Sequence, residues 1–158
     1  MKKAHFRILR AFLLLVVIID LLAIFCFSNQ PSNISYAVTG QVMSVISKTP
    51  QTQEEWNLWG MIVPFVRKLA HIFLYSIFST AFYLYICTVK RLNKKSIKGR
   101  LILTVALAML IGVLDEYHQS FIPGRGASFW DVIIDVIGAL LGVMFASLII
   151  RIRMRRKM

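Results

Sequence analysis

Residues 101–142 read LILTVALAMLIGVLDEYHQSFIPGRGASFWDVIIDVIGALLG. Two apolar runs flank a short polar turn, and four carboxylates, Asp115, Glu116, Asp131 and Asp135, lie in or beside them. The only other acids in the chain are Asp20, Glu54 and Glu55. An ionised side chain in a bilayer core costs at least about 2.5–3.5 kcal/mol on insertion scales, so acids placed there tend to be paired and functional. The chemistry of the chain is expected in this stretch.

Outward from it, the chain carries two more apolar runs. The four spans cover about 11–27, 62–89, 101–121 and 129–150, in a chain of 158 residues that is 58% hydrophobic. A helix needs about 20 residues to cross the hydrocarbon core, so the first span is short and the second long. Fifteen of the 19 Lys and Arg fall in three blocks, at 2–10, 90–100 and 151–157, each against an apolar run. Only Lys48, Arg67, Lys68 and Arg125 lie elsewhere. This is the positive-inside pattern, and it places both termini in the cytoplasm with two loops outside. The net charge of +12 is therefore read as membrane anchoring, with attraction to anionic lipids, and nucleic-acid binding is set aside. The expected organisation is one membrane domain over 7–151, with basic cytoplasmic tails at 1–6 and 152–158.

The N-terminus has the look of a signal peptide, with Met-Lys-Lys before an apolar core. Ala-Ile-Phe-Cys-Phe precedes Ser28 and offers no small residues at the usual cleavage positions, so the segment is expected to stay as the first membrane helix. Cys26 and Cys87 both lie in apolar runs without metal-ligand spacing and are read as filler.

The first outer loop, 28–61, carries Ile34, Ala37, Val38, Val42, Val45 and Ile46 at helical spacing. They predict an amphipathic helix lying on the outer membrane surface. Thr52 and Glu55 have the spacing of a capping box, which predicts a second short helix. Trp56, Trp59 and Trp130 suit the interfacial aromatic belt. The fold class is thus all-α: a four-transmembrane-helix bundle with an interfacial amphipathic helix in the first outer loop.

Counting from each basic anchor at 1.5 Å per residue sets the depth of the polar groups. His71 lies about 28 Å from Lys90, Asp115 and Glu116 about 22–24 Å from Arg100, and Asp135 about 24 Å from Arg151. Gln119, Asp131, Asn29 and Gln30 fall near 28–30 Å. In a core about 30 Å thick, these groups converge on one layer in its outer third. Lys68, His71 and Tyr75 share a face of the second helix, and Asp115 and Gln119 share a face of the third. Asp131, Asp135, Gly138 and Gly142 share a face of the fourth, where the two glycines form a small-xxx-small pair for close helix approach. Pro123, Gly124 and Gly126 make a turn that carries Arg125 back over this layer, and Ser128 could cap the fourth helix. Arg67, Lys68 and Arg125 would face Asp115, Glu116, Asp131 and Asp135, the near-balance that a desolvated network requires. A bundle could use such a network only to hold its helices together. Apolar packing does that equally well or better, so the ionisable groups point to a polar ligand or a reaction. Asp20, near mid-membrane, is read as structural.

These residues resemble the VanZ-like family of small bacterial membrane proteins. The resemblance rests on Phe-Ser-Asn-Gln (27–30), Arg-Lys-Leu-Ala-His-Ile-Phe-Leu-Tyr (67–75), Asp-Glu-Tyr-His-Gln-Ser-Phe-Ile-Pro-Gly-Arg (115–125) and Asp-Val-Ile-Ile-Asp-Val-Ile-Gly-Ala-Leu-Leu-Gly (131–142). It extends over about residues 10–150. Position 135 departs from the pattern, with Asp where the family often carries Asn, which leaves the local charge balance open. The family takes its name from a protein associated with resistance to teicoplanin, a lipidated glycopeptide. The resemblance therefore implies an envelope protein linked to antibiotic tolerance, with no mechanism attached.

Three functions compete. The first is a protein that binds or remodels an amphiphile of the outer leaflet, either a membrane lipid or a lipid-tailed envelope molecule, with Lys68 and Arg125 pairing to its phosphate or carboxylate. The second is an intramembrane enzyme acting on a lipid headgroup, with His71 as general base and Asp115 and Glu116 as paired acids. No known catalytic spacing supports it, so the reading leans away from an enzyme and names no catalytic residue. Carboxylates suit a hard cation, and Asp115, Glu116, His118, Asp131 and Asp135 are the conceivable ligands; neither metal nor cofactor is expected. The third is a proton-coupled lipid transporter, which in so narrow a protomer would call for a homodimer. In each case the expected site is Lys68, His71, Tyr75, Asp115, Glu116, Gln119, Arg125, Asp131 and Asp135.

Overall fold

A computed structural model describes residues 2–89 and 96–155. Every regular element among them is an α-helix: α1 (Lys2–Ser28), α2 (Ser32–Ile46), α3 (Gln53–Thr88), α4 (Ile97–Gln119) and α5 (Phe129–Arg155). Among the described residues, α1, α3, α4 and α5 are long and apolar enough to cross a membrane. Most of the 90–100 basic block, and Arg156 and Lys157 of the C-terminal one, lie outside the described residues.

The spans are longer than their apolar runs, because Lys and Arg are good helix formers and carry α1 and α5 past the hydrophobic stretch. The largest departure is in α3. The capping box forms: Glu55 N–H donates to the Thr52 hydroxyl at 3.3 Å, and Thr52 N–H to Glu55 Oε2 at 3.1 Å. The helix it opens is not a separate short one. It runs through Pro64 into the second span without a break, for 36 residues. Pro64 removes only the bond to the Gly60 carbonyl, which the turns on either side outweigh. The first loop does carry a helix, α2, where Gly40 faces the Trp59 ring of α3.

The helices alternate in direction. The Arg10 guanidinium of α1 donates to the Thr88 carbonyl at the end of α3, and Arg100 of α4 reaches Cys87 Sγ at 3.3 Å. The starts of α1 and α4 therefore meet the end of α3 at one end of the bundle. The core between them is Val17, Ile24, Tyr75, Phe78, Ala81, Ala108 and Ala139, with a second cluster of Tyr83, Val143 and Ala146. Helices α3 and α5 pack closest. A Cβ on Gly138 would stand 2.6 Å from the Ile72 carbonyl oxygen, and one on Gly142 would run into that of Ser76. The Thr80 hydroxyl also donates to the Gly142 carbonyl at 3.0 Å. This glycine stripe sets the α3–α5 spacing, and hence the separation of the polar side chains one to two turns along each helix.

Candidate functional site: a polar cavity beside an apolar crevice

The polar side chains gather at the end of the bundle away from Arg10 and Arg100. On the α3–α5 seam, Lys68 Nζ lies 2.9 Å from Asp131 Oδ1, and His71 Nδ1 lies 3.4 Å from Asp135 Oδ1. Spacing of three and four residues puts both bases on one face of α3, and the same spacing aligns both acids on α5. Asp135 and Tyr75 are fully buried. They converge on Gly112 of α4, where a Cβ would stand 3.0 Å from Asp135 Oδ2 and 3.6 Å from the Tyr75 hydroxyl. His71 and the Tyr75 hydroxyl, both on α3, are the polar neighbours of the Asp135 carboxylate.

A second group ties α1 to α4. Asp115 Oδ2 accepts from the Ser28 hydroxyl at 2.8 Å and from the Gln119 amide at 2.7 Å. Gln119 Oε1 accepts from Arg125 at 3.0 Å. Arg125 then donates to the carbonyls of Ser28 at 3.1 Å and Phe27 at 3.2 Å. These carbonyls end α1 and have no partner within the helix, so a guanidinium there satisfies them and meets the negative end of the helix dipole. Arg125 makes no ion pair with a carboxylate among the described residues; it caps a helix. Burial, and then the neighbouring Arg67 charge, lower its affinity for the proton from the ordinary arginine value. Glu116 lies between the two groups, and its Oε2 accepts from the Ser128 N–H at 2.7 Å. Ser128 thus contributes its backbone to this layer.

The turn that delivers Arg125 depends on Gly124, which has φ 74°, in the left-handed region that favours glycine. A Cβ there would also run into the Ser32 hydroxyl, while Ser32 N–H donates to the Pro123 carbonyl at 3.4 Å. Gly124→Ala is expected to cost about 1–2 kcal/mol from the backbone alone. Thermal unfolding in detergent should show a lowered midpoint. Adding Ser32→Gly should recover only the part due to the clash.

Between α3, α4 and α5 lies a cavity of about 170 Å³ lined by Lys68, His71, Glu116, Gln119, Asp131 and Asp135, with Arg67 and Tyr36 at its α2 side. Most of the expected site residues therefore share one cavity. Tyr75 meets it through Asp135, and Asp115 and Arg125 are joined to it through Gln119. On the other side of Arg67 and His71 is an apolar crevice of about 200 Å³, walled by Phe27, Val38, Val42, Val66 and Leu74 and edged by Arg125. Arg67 and His71 line both spaces. Arg67 lies 5.2 Å from the Tyr36 ring centre, a cation–π contact.

Ser28, Tyr36 and the crevice were not expected as parts of a site. Ser28 stands in the Phe-Ser-Asn-Gln stretch, two helical turns beyond Asp20 on the same face of α1, and that spacing was the available signal. His118 leaves the acidic group: its ring packs 5.2 Å from Phe25, and Nε2 lies 3.3 Å from Asn29 Oδ1. Among the described residues no three His, Cys, Asp or Glu are arranged to hold a metal ion. Asp20 is buried apart from the cavity, and its Oδ2 has no hydrogen-bond partner among the described residues.

Four membrane-length helices, three of them walling a polar cavity, define an all-helical, multi-pass membrane protein. The chain belongs to the VanZ/LLP1 family, whose model matches residues 11–151. No curated protein and no solved structure matches it.

Proposed function

We propose that this chain is a cell-envelope protein that binds or remodels an amphiphile of the outer leaflet, with the headgroup in the polar cavity and the tail in the apolar crevice. The observation that carries the reading is the junction: Arg67 and His71 line a charged space on one side and an apolar one on the other. An amphiphile has that division, whereas a wholly soluble ligand would leave the crevice unused. The positive-inside pattern supports the orientation, with both termini cytoplasmic and 28–61 and 121–128 outside. Cysteine labelling of intact cells should then modify a probe at Gln51, and modification at Lys94 would reverse the orientation.

Filling the crevice should weaken binding without touching a charge. For Val38→Trp, a diazirine-tailed phospholipid should crosslink to the purified protein at least about tenfold less than to wild type, the loss expected when roughly two methylenes are displaced. Unchanged crosslinking would remove the crevice from the reading. Family membership adds a cellular expectation: expression should change susceptibility to teicoplanin more than to vancomycin, which lacks the tail. Equal changes would detach the tail from the phenotype.

One observation favours a second reading, an enzyme acting on a lipid headgroup. His71 Nδ1 faces Asp135, and His71 lines the cavity, so a carboxylate-oriented imidazole is available as a base. Release of a headgroup from radiolabelled lipid by purified protein, lost in His71→Gln, would move the assignment to this reading.

A further inference from the structure

Charges within the two spaces are unevenly matched. Lys68 and Asp131 form an ion pair at 2.9 Å. At the junction, Arg67 and Arg125 meet no carboxylate within ion-pair distance among the described residues; Arg67 stacks on Tyr36, and Arg125, whose positive charge no acid neutralises, spends three hydrogen bonds on the oxygens of Phe27, Ser28 and Gln119. In the polar cavity, Asp135 is fully buried with only the imidazole of His71, at 3.4 Å, as a base within ion-pair distance among the described residues, and Glu116 takes a backbone N–H at Oε2 and has no such base. His71 stands between, four residues or about 6 Å along α3 from Arg67. One end therefore offers an anion two uncompensated guanidinium charges, with Arg67 as the main donor. The other offers carboxylates to a donor cation. A purely anionic headgroup would satisfy the first and repel the second.

We infer that the cavity recognises a zwitterionic phosphate–ammonium group, the phosphate between Arg67 and Arg125 and a primary ammonium against Asp135 and Glu116. This rests on the amphiphile reading and specifies its headgroup. An ammonium carries three donors, which suits two acids on different helices. A hydrogen bond to a charged group contributes about 1.5–3 kcal/mol, so the amine should decide between otherwise equal lipids.

The test is equilibrium binding to purified wild-type protein in detergent, using dihexanoyl phosphatidylethanolamine, dihexanoyl phosphatidylglycerol and free O-phosphoethanolamine. The ethanolamine lipid should bind about tenfold or more tighter than the glycerol lipid. Asp135→Asn and Glu116→Gln should each shrink that ratio, and Arg67→Ala should weaken both lipids together. Equal binding of the two lipids would overturn the ammonium site and leave the amphiphile reading standing. Binding of neither would overturn both. Free phosphoethanolamine binding as tightly as its lipid would uphold the headgroup site and sink the tail crevice. Should either acid variant fail to fold, the wild-type ratio still decides.

Discussion

Gly142→Leu should leave little folded protein. A Cβ at this position runs into the Ser76 carbonyl oxygen, which is backbone and has no rotamer to yield. The two helices must separate, and the 3.0 Å bond from the Thr80 hydroxyl to the Gly142 carbonyl goes with them. Overpacking a well-packed site costs about 1–3 kcal/mol where side chains can shift, and more where backbones must part. Within a bilayer no hydrophobic force between helices compensates, because lipid tails are as apolar as leucine. The site should suffer as well, since Lys68–Asp131 and His71–Asp135 both bridge this seam. The measurement is detergent-extracted yield with the thermal midpoint of what remains. Gly60→Leu is the matched control, because nothing stands within 4 Å of a Cβ there. Similar losses at both positions would mean that helix propensity, and not close approach, governs these glycines.

The same stripe shows which features were legible in the sequence. Gly138 and Gly142 fall on the face of Asp131 and Asp135 by periodicity alone, and the structure puts that face on α3. The four spans and α2 were legible for the same reason, that apolar spacing survives translation into helix faces. The extent of α3 was not. Glu54, Glu55, Asn57 and Pro64 break the apolar pattern, but a satisfied capping box and a proline that forfeits one bond do not break the helix. Depth counting brought the polar groups to one end correctly, yet depth is a one-dimensional measure. It could not show that Arg125 meets the carbonyl oxygens of Phe27 and Ser28, because backbone acceptors at a helix end carry no residue signature. Nor could it show the crevice, which exists only where α2 folds back over α1 and α3.

Replacing the His71–Asp135 pair should separate glue from function. His71→Leu alone leaves a fully buried carboxylate facing no cation, and removing one partner of a buried pair costs about 3–5 kcal/mol. The double variant His71→Leu/Asp135→Ala keeps the summed volume nearly constant and removes both polar groups. Exchange of a buried pair for apolar packing is often neutral or stabilising, so the double variant should regain most of what the single one lost. The coupling between the two positions should be at least about 2 kcal/mol in a double-mutant cycle followed by thermal or denaturant unfolding. Binding should go the other way. The double variant, though stable, should lose amphiphile binding, because it strips the cavity of the base at the junction and of its one fully buried acid. If the stable double variant still bound lipid like wild type, the pair would be a fastener between α3 and α5, and the ligand would have to be sought elsewhere. If instead it proved as unstable as the single variant, Asp135 would be held by more than His71, with the Tyr75 hydroxyl, which converges with it on Gly112, as the first place to look.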